Sequence, residues 1–320
     1  MMKVGITGQA GFVGTHLYHL LELEEGVERV PFEDAYFSDE AKLRAFVREC
    51  DAIVHVVRCF EDENVIHVDG SVDPVRDIET IQTELILADM ETVSKRLDKA
   101  QHLLKNGDKK YADEVEAANI VMEHLNALKP ARTAPLTKDQ REIVDGWFLL
   151  TSKKVVYAAN IGEDEVGEGC EDLPMVKKVK EIAESEGSEV LVICAKLEEE
   201  IAQLEPGEKQ EFLDEMGIGK SGLDRLVKLG YELLGYISFL TAGPKEVRAW
   251  TIVKGTKAPQ AAGKIHTDFE RGFIRAEIVA YDDLVREGSM AACKEKGLIR
   301  SEGKDYVMKD GDVTLFRFNV

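Results

Sequence analysis

Three glycines near the N-terminus, Gly8, Gly11 and Gly14, follow a short apolar stretch and stand three residues apart. A glycine-rich turn between a strand and a helix lets backbone amides approach a phosphate closely, and the helix N-terminus favours the negative charge. We therefore assign Gly8, Gly11, Phe12, Val13 and Gly14 to a predicted cofactor-binding turn. The alternative is that each glycine serves only a turn or the packing of a helix on a sheet.

The phosphate that such a turn would hold is a pyrophosphate, because no lysine follows Gly14. A mononucleotide loop of the form G-x-x-x-x-G-K-[ST] needs its lysine for the terminal phosphates and its hydroxyl for the metal ion. The run Gly219-Lys220-Ser221 has the end of that motif, but Asp214 stands where its first glycine belongs. It also lies between predicted helices, so we reject it as a phosphate site.

Charge and composition narrow the classes of function. The chain has 320 residues, is 44% hydrophobic and carries a net charge of −20. This charge excludes a protein that coats nucleic acid with its whole surface, since such binding neutralises phosphates with Lys and Arg. The stretch 241–275 differs, because it has seven basic residues and three acidic ones, a balance of +4. A local basic face for RNA is therefore possible, although ordinary solvated charges are the simpler interpretation.

The spacing of the cysteines and the hydropathy of the chain predict its cellular compartment. The five cysteines include no C-x-x-C pair, so neither a disulfide framework nor a zinc site is predicted. No apolar run approaches the roughly 20 residues that span a bilayer, and the N-terminus does not resemble a signal peptide. We expect a cytoplasmic protein without a membrane partner or a bound metal. The sequence does not indicate an oligomeric state.

Hydrophobic periodicity predicts the elements that position these residues. Buried strands are predicted at KVGIT, DAIVHVV, KVVYAAN and EVLVICA, with a possible extra strand at ERVPFE and helices at DEAKLRAFVREC and around 176–186. From Asp77 the apolar spacing becomes that of a long helix, which turns at Asn106 and Gly107 and continues until Pro130. Beyond Gly235 the pattern becomes rich in strands. We predict a doubly wound, mostly parallel α/β sheet with an inserted helical hairpin and a separate C-terminal domain.

Several long stretches resemble the Obg-like ATPase family of the bacterial YchF type. They are HVVRCFEDENVIHVDGSVDPVRDIETIQTELILADMETV, YAANIGEDE, KEVRAWTIVKGTKAPQAAGKIHTDFERGFIRAEIVAYDDLV and EGKDYVMKDGDVTLFRFNV. The resemblance spans roughly residues 51–320. It implies a nucleotide-binding domain over 1–76 and 137–235, a helical hairpin over 77–136, and a TGS domain of β-grasp type over 236–320. It also implies a hydrolase that binds ATP or GTP and a ribosome or RNA as partner.

The same resemblance supplies the candidate base-binding residues. The segment from Asn160 to Glu163 is similar to the family's base-recognition motif, in which asparagine and glutamate favour adenine. The segment that contains Ala195 and Lys196 is similar to the loop that closes over the base. The alternative for Asn160 and Glu163 is a turn at the end of a strand with a helix cap.

The first 57 residues resemble a different family, the extended short-chain dehydrogenases and reductases that act on nucleotide sugars. The resemblance rests on TGQAGFVG and DAIVH, and it implies an NAD(P) cofactor whose ribose Glu33 or Asp34 would bind. None of the eight tyrosines has a lysine four residues later, so the family's catalytic Tyr-Lys pair is missing. The junction between the two resemblances falls near residues 51–57.

The main prediction is therefore an Obg-like nucleotide-binding protein with impaired hydrolysis, because the residues that hold phosphates and Mg²⁺ are absent. It has no assigned catalytic residue. One alternative is an NAD(P)-binding fragment of a nucleotide-sugar epimerase or reductase. The other is a non-catalytic protein that interacts with RNA or the ribosome.

Overall fold

The computed structural model describes residues 2–6, 27–33, 35, 40–62, 70–243 and 246–319. The described residues divide into two units, with the boundary between residues 226 and 227. The first unit contains parallel sheets and the helical hairpin, and the second contains a five-stranded mixed sheet. The overall class is thus mixed α/β, as predicted.

Three predicted strands form the main sheet of the first unit. They are β3 (Ala52–Arg58), β4 (Lys154–Asn160) and β5 (Glu189–Ile193), which lie parallel in the order β3-β4-β5. Strand β4 is central and buried on both faces, as expected for a continuous apolar run in a parallel sheet. The register pairs Arg58 with Asn160 and Asn160 with Ile193, so all three strands end at one edge.

The N-terminal strands form a smaller parallel pair, β1 (Met2–Gly5) with β2 (Val27–Val30). Helix α1 (Glu40–Glu49) packs on it, and a small core unites Val30, Phe32, Phe46 and Cys50. This pair is a separate sheet from β3-β4-β5 among the described strands. The strands of the main sheet follow chain order, so the reversal of direction that defines double winding stays a prediction.

Two helices connected by a turn join β3 to β4 along the chain and form a helical hairpin. Helix α2 (Pro74–Lys105) begins at the N-cap Asp73, whose carboxylate accepts a hydrogen bond from the Val75 amide at 3.1 Å. The turn contains Gly107 at φ +96°, a left-handed conformation that favours glycine. Helix α3 (Ala112–Asn126) ends before Pro130, and Leu128 takes a left-handed backbone conformation at φ 54°.

The base of the hairpin is fixed by a buried carboxylate. Asp89 on α2 is 1% exposed, and it accepts hydrogen bonds from the amides of Leu150 and Thr151 and from the Thr151 hydroxyl at 2.7–2.8 Å. Helix α4 (Lys138–Asp145) starts with a capping box between Thr137 and Gln140. The hydrogen bonds of Asp89 attach the segment that precedes β4 to the middle of the long helix α2.

The remaining helices of the first unit follow β4 and β5. They are α5 (Pro174–Glu186), α6 (Ala195–Ala202), α7 (Pro206–Glu215) and α8 (Gly222–Leu234), the last of which crosses the division between the units. A buried pair links α5 to the segment after the hairpin, since Arg132 donates to Glu186 Oε2, which also accepts from the Tyr157 hydroxyl at 3.0 Å.

The second unit is a mixed sheet with helices packed on it. Its strands are β6 (Tyr236–Ala242), β7 (Val247–Val253), β8 (Phe273–Ala280), β9 (Arg300–Glu302) and β10 (Asp312–Phe318). They lie in the order β7-β6-β10-β8-β9, in which β6 and β10 are parallel and the other neighbours antiparallel. The helices are α9 (Ala258–Ile265), α10 (Thr267–Arg271), α11 (Tyr281–Glu287) and α12 (Met290–Glu295). Phe239, Ile278 and Phe316 lie in the core between the sheet and α9.

Candidate nucleotide-binding site

Two loops that leave the carboxyl edge of the main sheet are joined by Asn160. This residue ends β4, and its side-chain oxygen accepts a hydrogen bond from the Ala195 amide, the first residue of α6, at 2.9 Å. Backbone hydrogen bonds reinforce the junction, from the Ile161 amide to the Ile193 carbonyl and from the Cys59 amide to the Asn160 carbonyl. Asn160 therefore holds the two predicted base-binding segments together.

The Asn160 contact also satisfies one of the free amides at the start of α6. This is the structural role that the sequence leaves open for Asn160. The geometry supports that role and brings the predicted site residues together at the same time.

Glu163 and Lys196 form an ion pair across the same two loops, in which Lys196 Nζ donates to Glu163 Oε2. The hydrogen bond to Glu163 raises the pKa of Lys196 above its ordinary value. Both side chains are about half exposed, so the pair remains open to solvent and to a ligand. All four predicted base-binding residues thus lie at one edge of the sheet.

A cavity of about 340 Å³ lies beside these loops, and sequence reasoning did not assign it. Its apolar lining comes from Cys59, Phe60, Leu173, Pro174 and Met175, and its acidic lining from Glu61, Asp164 and Glu165. The only sequence signal is the run CFED, residues 59–62, which follows β3 at the same edge as Asn160.

Two hydrogen bonds hold residues that line this cavity. The Arg58 side chain donates from Nε to the Phe60 carbonyl at 3.0 Å, and the Gly162 amide donates to Glu165 Oε2 at 2.9 Å. Burial, followed by the charge of Glu165, raises the pKa of the Cys59 thiol to about 12. Cys59 is therefore a packing residue and not a nucleophile.

The predicted phosphate turn cannot be placed beside this edge. Gly8, Gly11, Phe12, Val13 and Gly14 lie outside the described residues, and so does Asp34. Glu33 follows β2 and is exposed. The described residues contain no group of three or more His, Cys, Asp or Glu side chains that could hold a metal ion.

The run Gly219-Lys220-Ser221, which has the end of a mononucleotide phosphate-loop motif, lies just before α8. The Glu198 carboxylate accepts hydrogen bonds from the amides of Gly222 at 2.6 Å and Leu223 at 3.3 Å. The Ser221 hydroxyl donates to Asp224. Because a carboxylate of the chain itself already occupies the helix N-terminus, this segment does not offer a phosphate site.

Comparison with known proteins identifies the family. The C-terminal family model of YchF GTPases, described as "Protein of unknown function (DUF933)", matches residues 236–319. The "Ribosome-binding ATPase YchF" of Bacillus subtilis (strain 168) is 54% identical over 281 residues, which cover 87% of this chain and 76% of the relative. The chain belongs to the YchF family.

Other YchF relatives agree with this assignment. The "Obg-like ATPase 1" of Rattus norvegicus is 42% identical over 277 residues, covering 85% of this chain and 69% of that protein. The solved structure of the Schizosaccharomyces pombe YchF GTPase superposes with a TM-score of 0.77 at 35% identity, and it covers 86% of this chain and 74% of that one. These relatives confirm the Obg-like resemblance, and they give no support to the dehydrogenase-like interpretation of the N-terminal segment.

Proposed function

We propose that this chain binds a purine nucleotide, with ATP as its preferred ligand, at the carboxyl edge of β3-β4-β5. The observation that carries the proposal is the pairing of Asn160 with Ala195 and of Glu163 with Lys196 across the two loops. Ligands of parallel α/β sheets bind outside the carboxyl ends of the strands, which is where these loops meet. The family's names, ATPase and GTPase, agree with a nucleotide ligand.

We propose the adenine preference for a base whose C6 substituent faces Glu163. A carboxylate only accepts hydrogen bonds, and at that position adenine presents a donating amino group where guanine presents a carbonyl oxygen. Asn160 offers both an amide donor and a carbonyl acceptor, so it can orient either purine. Phe60 lines the adjoining cavity and supplies an apolar surface for a base.

The test is a titration of the full chain with a ribose-labelled fluorescent ATP, with magnesium present. Glu163→Ala should weaken binding by about tenfold, because it removes a charge-assisted hydrogen bond to the base. Glu211→Ala is the control, since it removes an exposed acidic side chain from α7, a helix outside the two loops. Equal affinity of the Glu163 variant and the unchanged chain would contradict the proposed site.

The proposed partner is the ribosome, because relatives are named ribosome-binding ATPases. We assign residues 236–320 to a TGS domain of β-grasp type and propose that it makes this contact through RNA. Arg248 lies over the Trp250 ring with its guanidinium carbon 4.3 Å from the centroid, and the indole nitrogen donates to Thr241. Both stand on the edge strand β7, where a cation and an aromatic ring can meet a nucleic acid.

Co-sedimentation of the full chain with ribosomes at low and high salt tests this partner. Replacing Arg248 and Lys254 by glutamate should reduce the bound fraction at low salt, because phosphate contacts depend on basic side chains. Lys95→Glu on α2 makes the same kind of charge reversal on the hairpin and should have little effect if β7 carries the contact. Association that is independent of salt would contradict an RNA contact.

The remaining assignments are also proposals. They are a nucleotide-binding domain from 1–76 and 137–235 with a doubly wound sheet, an inserted hairpin over 77–136, and a cytoplasmic location. The spacing of Gly8, Gly11 and Gly14 favours a second candidate ligand, NAD(P), at the N-terminal turn. Titration with NADH tests it, and Gly11→Val should abolish any binding that depends on close approach of the backbone.

A further inference from the structure

The edge strand β7 of the second unit carries a row of backbone groups with a strand on one side only. In the part of the chain that the structure describes, β7 pairs with β6 and has no neighbouring strand on its outer side. The unpaired N–H and C=O groups of such an edge can pair with a strand of another chain. The opposite edge of the sheet is protected by its shortness, because β9 has three residues whereas β7 has seven.

One face of β7 is also open to solvent at both ends of the strand. Successive side chains of a strand alternate between its two faces, so residues 247, 249, 251 and 253 share one face. Val247 is 73% exposed and Val253 is 55% exposed on that face. Exposed β-branched side chains on a strand are stabilised by a cross-strand neighbour that covers them. The outer edge of β7 therefore suits a further strand that brings apolar residues to these two positions.

The sequence around β7 is complementary to itself when a second copy is turned antiparallel about Trp250. Val247 and Val253 are equally far from Trp250 along the chain, so each valine of one copy faces a valine of the other. Glu246 and Lys254, which flank the strand and are both exposed, are also equally far from Trp250. The same register thus places an anion opposite a cation at both ends of the paired strands.

Other registers lose this complementarity. A shift of one residue moves every side chain to face a residue of the other set, and it separates Glu246 from Lys254. A shift of two residues in one direction sets Arg248 against Lys254, which are both cations. The charges therefore select the register that is centred on Trp250.

We propose that β7 pairs antiparallel with β7 of a second copy of this chain, so that two five-stranded sheets join across one two-fold axis. A two-fold contact uses the same patch on both copies and closes on itself, which limits the assembly to a dimer. Arg248 and Trp250 lie on the face opposite the two valines, and pairing of the backbone does not use their side chains. The dimer is therefore compatible with the RNA contact proposed above and does not depend on it.

The experiment is sedimentation velocity of the full chain without RNA or ribosomes. One seven-residue ladder is a small interface, so we expect a dissociation constant of about 10–100 micromolar and a measurement from about 1 to about 300 micromolar. Glu246→Lys sets two lysines against each other at both ends and should weaken the dimer about tenfold. Lys254→Glu should have the same effect, because it sets two glutamates against each other.

The double variant Glu246→Lys with Lys254→Glu exchanges the charges and should restore the dissociation constant to within about threefold of the unchanged chain. Glu295→Lys is the matched control, because it makes the same charge reversal at an exposed position of α12 and should leave the dimer unchanged.

Hydrogen exchange locates the contact. The amides of β7 should exchange more slowly as the protein concentration rises, while those of β9 should not change. The inference is overturned if the unchanged chain stays monomeric over the whole range, if the double variant is as weak as the single ones, or if β7 gains no protection on dimerisation. None of these results bears on nucleotide or ribosome binding, so the proposed function is tested separately.

Discussion

The two parallel sheets of the first unit differ in the length over which their strands pair and in the residues that surround them. Strands β3, β4 and β5 share a register over five to seven residues, and their ends carry the paired loops of Asn160 and Glu163. Strands β1 and β2 pair over four residues and are supported by a core of four buried side chains. The first sheet carries groups that suit a base, whereas the glycine turn predicted to follow β1 suits only a pyrophosphate.

In the proposed site, recognition of a base and chemistry on a phosphate are separable parts. We propose that a few donors and acceptors at the carboxyl edge of β4 and β5 select the base. Phosphoryl transfer needs a lysine, a hydroxyl and a metal ion fixed at the terminal phosphates before charge develops. The sequence has no loop of the form G-x-x-x-x-G-K-[ST] to supply the first two.

The largest expected effect is on turnover. We predict that the chain hydrolyses ATP at a rate near background, even if it binds ATP. Loss of a single group that stabilises the transition state commonly costs about a hundredfold or more, and here several are absent together. Steady-state phosphate release with Mg-ATP measures this rate. Robust turnover that disappears in Glu163→Ala would contradict the prediction and reveal another phosphate site.

Sequence patterns predicted the central strand of the main sheet well because burial on both faces leaves a long apolar run. Strand β4 was predicted at KVVYAAN and is observed at Lys154–Asn160. The end of α3 was less accurate, because the prediction used Pro130 as the stop. The helix ends at Asn126 instead, and the left-handed backbone of Leu128 leaves no sequence signal comparable to a glycine.

The candidate site was predictable only in part. Asn160, Glu163, Ala195 and Lys196 were found by resemblance, and the structure brings them together. The hydrogen bond that joins Asn160 to α6 and the cavity that Phe60 helps to line depend on contacts between distant segments. Local periodicity and spacing do not encode such contacts, so these features required coordinates.

A second prediction concerns the connection that returns the chain to β4. Asp89→Ala removes the acceptor of three buried hydrogen bonds from Leu150 and Thr151. Leaving these donors without partners should lower the free energy of unfolding by about 3 kcal/mol. Chemical denaturation measures the change, with Asp98→Ala on the exposed face of α2 as the control. If both variants lost the same small amount, the carboxylate would not be fixing the base of the hairpin.

A third prediction concerns the packing of helix α1 on the smaller sheet, β1-β2. An added Cβ at Gly5 would lie 2.2 Å from Phe46 Cζ and 2.9 Å from the Cys50 sulfur, so Gly5→Ala must displace the helix or its ring. Overpacking of this kind costs about 1–3 kcal/mol. Gly207→Ala is the control, because nothing lies within 4 Å of its added Cβ.

Chemical denaturation of the Gly5→Ala variant measures the loss in free energy of unfolding. Hydrogen exchange of the β2 amides then shows whether that loss is confined to the smaller sheet. We expect faster exchange in β2 and unchanged protection in β4, because the two sheets are separate among the described strands. Equal loss of protection in both strands would mean that they unfold as one cooperative structure, and the proposed difference between the sheets would be wrong.

The smallest expected effect is a pH dependence at the edge of the main sheet. His55 lies on β3 beside the Tyr157 ring, at 5.6 Å between centroids, and near Arg132 and Glu186. Burial, followed by the positive charge of Arg132, lowers the pKa of His55 below its ordinary value of 6.5, while Glu186 opposes the shift.

The sign of the effect follows from proton linkage. Below its ordinary pKa the unfolded chain binds a proton on His55 that the folded chain does not, so stability is lost as the pH falls from 6.5 toward the lower folded value. His55→Gln removes this proton uptake, so its urea midpoint should fall less than that of the unchanged chain between about pH 7.5 and pH 5. The carboxylates titrate in both proteins and cancel in the comparison. Parallel midpoints across this range would contradict the prediction and show that His55 on β3 is more solvated than its position beside Tyr157 indicates.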